Sequence, residues 1–296
     1  MTDNTLTLNN GVAMPALGLG VYQSTPEQTV GAVETALHAG YRLIDTASGY
    51  FNERQVGEGI RRSGVDRSDV FVTSKLWVTD YGYDAALRGF DTSTAKLGLD
   101  YLDLYLLHWP LPADFEATVG AYRAAEQLLA DGRVRAIGVC NFDAAHLDAL
   151  AERTEITPAV NQVELHPIFT QRELQAADRE RGIVTQAWSP IGGINLYSED
   201  ADPALNVLEN DAVTAIASAH GKTPAQVVLR WHLQQGRSAI PKSVRPERIR
   251  ENLDVLDFAL SGQELATIDG LDRGLRGGPD GATFDPRSMG LVIDPV

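Results

Sequence analysis

The chain has 296 residues, 44% of them hydrophobic and 22% charged, which is an ordinary composition for a globular protein. This length suits two average domains or one α/β barrel. The net charge of −15 excludes nucleic acid and anionic membrane surfaces as expected partners, because both are polyanions.

The cysteine content and the N-terminus both bear on location. The single cysteine, Cys140, cannot form an internal disulfide, and residues 1–4 have neither the positive nor the apolar region of a signal peptide. No apolar run approaches the roughly 18 residues that a spanning helix needs. We therefore expect a cytoplasmic protein that acts on small molecules, and we expect it to be a monomer.

The first predicted element is a short hairpin over residues 5–16, with Asn9-Asn10-Gly11 at its turn. From about Leu17 onward, strand-like and helix-like runs alternate, as in repeated βα units around a parallel sheet. Most of these strands lack polar alternation, which is typical of strands that are buried on both faces. Eight strands are predicted: Leu17–Gly20, Leu43–Asp45, Val70–Lys75, Leu102–His108, Val134–Val139, Ala159–Glu164, Val184–Trp188 and Ser238–Ile240.

Eight such units predict one α/β domain over residues 1–296, a (β/α)₈ TIM barrel whose bottom is closed by the hairpin. Thr25 and Thr223 each precede a proline and stand three residues before a glutamine, a pattern that predicts a capped helix start. Two irregular segments, 192–206 and 274–296, are predicted to be loops over the active site.

Polar and aromatic residues follow strand after strand in this chain. Because the carboxyl ends of the strands of such a barrel form its active-site face, we expect these residues to be neighbours in space. They are Tyr22, Asp45, Lys75, Trp77, His108, Trp109, Asn141, Gln162, Trp188, Ser189, Lys242 and Ser243.

Four of the polar groups have the chemistry of one proton-transfer site: Asp45, Tyr50, Lys75 and His108. An ordinary tyrosine has a pKa near 10, which is too high for efficient proton transfer near neutral pH. We expect the Lys75 ammonium to lower the pKa of Tyr50, and Asp45 to hold that ammonium charged and oriented. A neutral His108 can form a hydrogen bond with a substrate carbonyl.

With the words Thr73-Ser74-Lys75-Leu76-Trp77 and Leu106-Leu107-His108-Trp109-Pro110, these residues resemble the aldo-keto reductases over nearly the whole chain. The resemblance implies that hydride moves from a nicotinamide to a carbonyl carbon and that Tyr50 protonates the oxygen. Lys75 and Asp45 would then tune Tyr50, and His108 would orient the carbonyl. It also implies a substrate pocket walled by Tyr22, Phe51, Trp77 and Trp109.

The cofactor site must work without a dinucleotide-binding glycine motif, since no Gly-x-Gly-x-x-Gly follows any predicted strand. Instead, residues 240–252 place four basic side chains beside a predicted helix start in an otherwise acidic chain. The resemblance implies NADP(H), with its 2′-phosphate held by Lys242, Ser243, Arg248 and Asn252, its adenine by Glu251, and Val244 as a further cofactor contact. The nicotinamide end is assigned in the same way to Asn141, Gln162 and Trp188, and the pyrophosphate to the residues from Ser189 through Ile191 to Gly192.

Three positions depart from the family's usual residues. Cys140 replaces a serine and weakens one contact to the carboxamide, Trp188 replaces the commoner tyrosine, and Tyr22 replaces tryptophan in many relatives. The last two resemble the bacterial 2,5-diketogluconate reductase group.

The expected activity is the NADPH-dependent reduction of aldehydes and ketones, namely small carbonyls, α-dicarbonyls and keto-sugars, to alcohols. The alternative is a sensor or regulatory subunit that binds the cofactor with little turnover, and an enzyme of steroid or prostaglandin type would need a large apolar pocket.

The six histidines show no metal-binding spacing, and no hydrolase Gly-x-Ser-x-Gly motif surrounds Ser189. A glycosidase pair of Glu164 and Asp45 would leave Lys75 and His108 unexplained. A nucleophilic Cys140 would need a nearby base.

Overall fold

The computed structural model describes residues 4–192 and 205–295, and these form a (β/α)₈ barrel. An antiparallel hairpin of β1 (Thr5–Thr7) and β2 (Ala13–Pro15) comes first. The barrel strands are β3 (Leu19–Gly20), β4 (Leu43–Asp45), β5 (Phe71–Leu76), β6 (Leu102–Leu107), β7 (Val134–Cys140), β8 (Val160–Glu164), β9 (Val184–Trp188) and β10 (Ser238–Ala239).

All neighbouring barrel strands pair in parallel, in chain order. Two isolated parallel bridges, Leu17 with Ala239 and Gly20 with Lys242, join the first strand to the last. The sheet is therefore closed, as the sequence predicted.

Helices follow the strands around the outside of the barrel. Thr25 and Thr223 both form the predicted capping boxes, and the first helix ends at Gly40, whose φ of 111° is accessible mainly to glycine. The helices are α1 (Pro26–Ala39), α2 (Glu53–Ser63), α3 (Tyr83–Leu97), α4 (Phe115–Ala130), α5 (Ala144–Ala151), α6 (Arg172–Glu180), α7 (Asp211–His220), α8 (Pro224–Gln234), α9 (Pro246–Leu253) and α10 (Gly262–Asp269).

The hairpin contributes to the packing inside the barrel. Leu8 and Met14 are buried in the same apolar cluster as Leu43, Leu104 and Leu106, which point inward from β4 and β6. Successive side chains on a strand alternate between faces, so the next inward positions toward the carboxyl ends are Asp45 and His108. An apolar lower layer therefore supports a polar upper layer where the strands end.

The two predicted loops differ in how far the structure describes them. Residues 193–204, most of the segment 192–206, lie outside the described residues. The C-terminal segment contains one short 3₁₀ helix, Pro286–Met289, and is otherwise irregular through residue 295. Within residues 4–192 and 205–295, no helix has the length and apolar character needed to cross a membrane.

Candidate active site

Lys75 lies at the centre of the polar layer, with none of its side chain exposed. Its Nζ donates to Asp45 Oδ1 at 2.6 Å, to the Thr46 carbonyl at 2.9 Å and to Tyr50 Oη at 3.3 Å. An ammonium has three N–H donors, so all three have an acceptor here. Burial alone would lower the pKa of Lys75, but the Asp45 and Tyr50 oxygens outweigh it and the pKa is raised. Lys75 is therefore a fixed positive charge.

Tyr50 is delivered to Lys75 by a tight turn after β4. The turn is a 3₁₀ helix, Ser48–Tyr50, and Ser48 Oγ holds it by donating to the Lys75 carbonyl at 2.9 Å. Phe51 follows with a φ of 57°, a left-handed conformation that directs the chain away into α2. The tyrosine hydroxyl thus has a fixed position beside the ammonium.

The net pKa shift of Tyr50 is opposite to the one expected from the sequence. Burial raises the pKa of the phenol, and this effect exceeds the lowering by Lys75, while Asp45 and Cys140 raise it further. The expectation considered the ammonium alone and left out the cost of an anion in a buried site. Tyr50 is consequently a protonated phenol whose ionised form is selectively stabilised by Lys75.

His108 stands opposite this pair, with its ring centroid 5.6 Å from that of Tyr50 and 5.1 Å from that of Trp77. Burial lowers the pKa of His108 well below its ordinary value, and the Lys75 charge lowers it further. The imidazole is therefore neutral, as predicted. Its Nδ1 is buried and has no hydrogen-bond partner in the described part of the chain.

These groups open into a cavity of about 900 Å³ at the carboxyl ends of the strands. Lys75 lies beneath the cavity floor, and Phe51, which was expected in the substrate wall, is instead 47% exposed and outside the lining. The predicted residues that do line the cavity are Tyr22, Asp45, Tyr50, Trp77, His108, Trp109, Asn141, Gln162, Trp188, Ser189, Ile191, Gly192 and Lys242.

Two amide side chains on the cavity wall are oriented by their neighbours. Asn141 Nδ2 donates to the His108 carbonyl at 3.0 Å, while its Oδ1 accepts from Trp188 Nε1 at 2.9 Å. Gln162 Nε2 donates to Asp45 Oδ2 at 2.8 Å and to Gln186 Oε1 at 2.7 Å. Both N–H groups of Gln162 are thus used within the barrel, and its Oε1 is left to act as an acceptor.

Cys140 also lines the cavity, and burial raises the pKa of its thiol. Since the thiolate is the reactive form, this shift opposes a role as nucleophile. Within the described residues, no group of three His, Cys, Asp or Glu side chains is placed to hold a metal ion.

The basic segment after β10 extends from the cavity along the barrel rim. Lys242 is exposed at the cavity edge, and Arg248 is exposed on α9. Ser243 Oγ accepts from the Arg245 amide at 3.2 Å, and the Glu251 carboxylate accepts from Thr223 Oγ1 at 2.8 Å. Ser243, Val244, Arg248, Glu251 and Asn252 all lie outside the cavity lining, so the segment forms a separate continuation of it.

The C-terminal segment supplies lining residues that were not named from the sequence. It is rich in glycine and has no helical or strand period, so nothing in the pattern marks which of its side chains turn inward. The cavity-lining residues of this segment are Gly277, Gly278, Pro279, Phe284, Met289 and Leu291.

The barrel is closed, and at its strand ends a tyrosine hydroxyl accepts a hydrogen bond from a lysine ammonium beside a neutral histidine. This arrangement defines a carbonyl oxidoreductase site. The profile of the aldo/keto reductase family matches residues 14–273, and the chain belongs to that family. This confirms the resemblance noted above at family level, whereas the likeness to bacterial 2,5-diketogluconate reductases stays a prediction.

Known relatives match over nearly their full length. Morphine 6-dehydrogenase of Pseudomonas putida is 56% identical over 291 residues, covering 97% of this chain and 98% of that protein. The 9,11-endoperoxide prostaglandin H2 reductase of Trypanosoma cruzi is 47% identical, with 96% of each chain covered. Among solved structures, a variant of Gox0644 in complex with NADPH has a TM-score of 0.88 at 40% identity, covering 96% of this chain and 100% of that one.

Proposed function

We propose that this protein is an NADP(H)-dependent reductase of aldehydes and ketones, with Tyr50 as the proton donor. The observation that carries the proposal is the buried Lys75 ammonium, which donates to both Asp45 and the Tyr50 hydroxyl beneath an open cavity. Such a site can protonate a carbonyl oxygen and then hold the resulting phenolate.

The bound cofactor would supply the hydride that reduces the carbonyl carbon. His108, held neutral, forms a hydrogen bond with the carbonyl oxygen and places it near Tyr50. As negative charge develops on that oxygen, the Tyr50 hydroxyl donates its proton. The Lys75 ammonium stabilises the tyrosinate until a proton from solvent restores the phenol.

The residues around the cavity fit a dinucleotide with an extra phosphate. Gln162 Oε1 and Asn141 offer amide groups to a carboxamide, and Trp188 offers an aromatic face. The cation pair of Lys242 and Arg248 is exposed along the rim of a chain whose net charge is −15. Basic side chains beside a helix start suit the 2′-phosphate that distinguishes NADP from NAD.

The cavity wall supports a bulky apolar substrate over a small sugar. Trp77, Trp109, Phe284, Met289 and Leu291 form a broad apolar surface, with the Phe284 ring 4.9 Å from that of Trp109. The names of the morphine and prostaglandin relatives are consistent with such a pocket. We therefore extend the proposal to multi-ring or long-chain apolar ketones and to the corresponding alcohols in the reverse direction.

The test is the oxidation of NADPH, with NADH in parallel, by wild type and Tyr50→Phe. Substrates would be methylglyoxal, a nitrobenzaldehyde, a keto-sugar, a cyclic diketone and a fused-ring ketone. We expect turnover with NADPH that is lost in Tyr50→Phe while NADPH affinity is kept. Tyr105→Phe is the matched control, because Tyr105 is buried and does not line the cavity.

Each outcome separates the alternatives. Retained turnover in Tyr50→Phe would refute the acid assignment. NADPH binding without turnover of any substrate would favour the alternative, a sensor or regulatory subunit that binds the cofactor with little turnover. A preference for methylglyoxal or the keto-sugar over the fused-ring ketone would refute the substrate assignment alone.

Monomeric state, cytoplasmic location and a single domain over residues 1–296 stay predictions.

A further inference from the structure

A fully buried carboxylate lies where β8 ends, outside the proton-transfer set described above. Neither Glu164 nor its neighbour His166 has any exposed side-chain surface. Glu164 Oε1 accepts from the Gly277 amide at 2.7 Å and from His166 Nε2 at 2.9 Å, and Oε2 accepts from the Gly278 amide at 2.9 Å. The carboxylate therefore binds two consecutive amides of the C-terminal segment.

The backbone beyond this anchor packs closely on two residues of the proposed cofactor site. A Cβ on Gly278 would lie 2.5 Å from Trp188 Cη2, and a Cβ on Gly281 would lie 2.1 Å from the Asn141 carbonyl oxygen. Both distances are too short for any side chain, so only glycine allows this approach. The anchored segment thus lies directly against Trp188 and Asn141.

The same segment then supplies the apolar wall. Phe284 packs on Trp109, and Met289 and Leu291 line the cavity. The connection from the last helix, α10, to this wall is irregular and partly exposed. A segment with few buried apolar contacts opens at low free energy unless specific bonds hold it. Hydrogen bonds to a charged group are stronger than those between neutral groups.

We propose that Glu164 is a positioning residue that holds residues 277–291 in place as the substrate-cavity wall, and so favours bulky substrates. The substrate half of this inference rests on the proposed function, whereas the anchoring half does not. Glu164 touches neither reacting group, and its effect would be exerted through the segment it binds.

The anchoring half is tested by amide hydrogen exchange on the full chain. In Glu164→Gln one oxygen is replaced by an amide that cannot accept, so one of the two glycine N–H groups loses its partner. We expect exchange across residues 277–281 to rise about 10- to 100-fold, the range expected for loss of a hydrogen bond to a charged group. The matched control is Asp178→Asn, which alters another buried carboxylate that binds Asn161 and Thr185 and not the tail.

Gly281→Ala provides a second variant in case Glu164→Gln folds poorly. It leaves the carboxylate intact and forces the tail away from Asn141, so it should raise exchange in the same residues. Unchanged exchange in residues 277–281 in both variants would overturn the proposal. A rise equal to that in Asp178→Asn would also overturn it, because the effect would then reflect general loosening.

The substrate half is tested by steady-state kinetics with NADPH. For the fused-ring ketone we expect KM to rise at least about tenfold in Glu164→Gln, since wall contacts are lost. At saturating NADPH, the KM for a nitrobenzaldehyde, which needs little of the wall, should change by less than about twofold. An equal loss for both substrates would refute the specificity role. If wild type turns nothing over, the proposed function fails while the exchange result still decides the anchor.

Discussion

Replacing Lys75 with methionine removes the charge that we expect to stabilise tyrosinate during the reaction. Lys75 Nζ lies 3.3 Å from Tyr50 Oη. At an effective dielectric constant of about 20, two unit charges at that distance interact by about 5 kcal/mol. If about half a charge has developed on Tyr50 at the transition state, the barrier rises by about 2.5 kcal/mol, or roughly 70-fold in rate. A full charge would raise the loss to several thousand-fold.

The same substitution also affects folding, because it leaves the Asp45 carboxylate buried without its cation. Removing one partner of a buried ion pair typically costs about 3–5 kcal/mol. Burial already raises the pKa of Asp45, against the opposing effect of Lys75, so without Lys75 the carboxyl will bind a proton and part of the cost is recovered. The double variant Lys75→Met/Asp45→Asn removes both charges and should regain most of the stability.

These two consequences can be measured separately. Urea unfolding gives the stability of the single and double variants, and single-turnover oxidation of bound NADPH gives the rate of the chemical step. We expect the double variant to be nearly as stable as wild type and to remain at least about 70-fold slower. Recovery of the rate together with the stability would show that Lys75 acts only through folding, and the tyrosinate argument would be wrong.

Three further predictions concern the proposed 2′-phosphate site and two titrating groups. Arg248→Ala should weaken NADPH at least about tenfold and NADH little, whereas Arg250→Ala, an exposed control on the same helix, should spare both in a fluorescence titration. Burial raises the pKa of Asp178 to about 6, so its stabilising contribution is full below about pH 4 and is lost as pH rises through 6. Asp178→Asn should remove about 3 kcal/mol of that pH dependence from urea unfolding, and an unchanged profile would contradict the shift. The pH profile of kcat should show no limb near 6.5 from His108, because its pKa is lowered well below that value.

Sequence was sufficient for the barrel and for most of the polar layer, for a geometric reason. Each strand ends in a recognisable turn, and alternate residues point inward, so the sequence alone places Asp45, Lys75 and His108 on one face. Phe51, expected in the substrate wall, lies at a backbone reversal with a φ of 57°, and it is 47% exposed and outside the cavity lining. A local backbone reversal of that kind has no periodic signature.

The C-terminal wall was less predictable because its contacts are tertiary. Glu164 and Gly277 are 113 residues apart, and neither the acid nor the glycine indicates its partner. Glu164 was considered only as one half of a glycosidase pair, a role that its bonds to two backbone amides argue against. In the sequence, the glycines at 278 and 281 indicate only a loop. In the structure, a side chain at 278 would collide with Trp188 and one at 281 with Asn141.

The pKa of Tyr50 shows why the electrostatic logic of the site needs burial as well as charge. Taken alone, the Lys75 ammonium would make the phenol more acidic, but burial makes the resting phenol less acidic than an ordinary tyrosine. A proton donor must still hold its proton when the substrate arrives, and a phenol whose pKa is raised above the ordinary value does so near neutral pH. In the proposed reaction, Lys75 acts on the charge that appears only as the proton leaves Tyr50, so we expect its stabilisation of Tyr50 to fall on the transition state and not on the resting phenol.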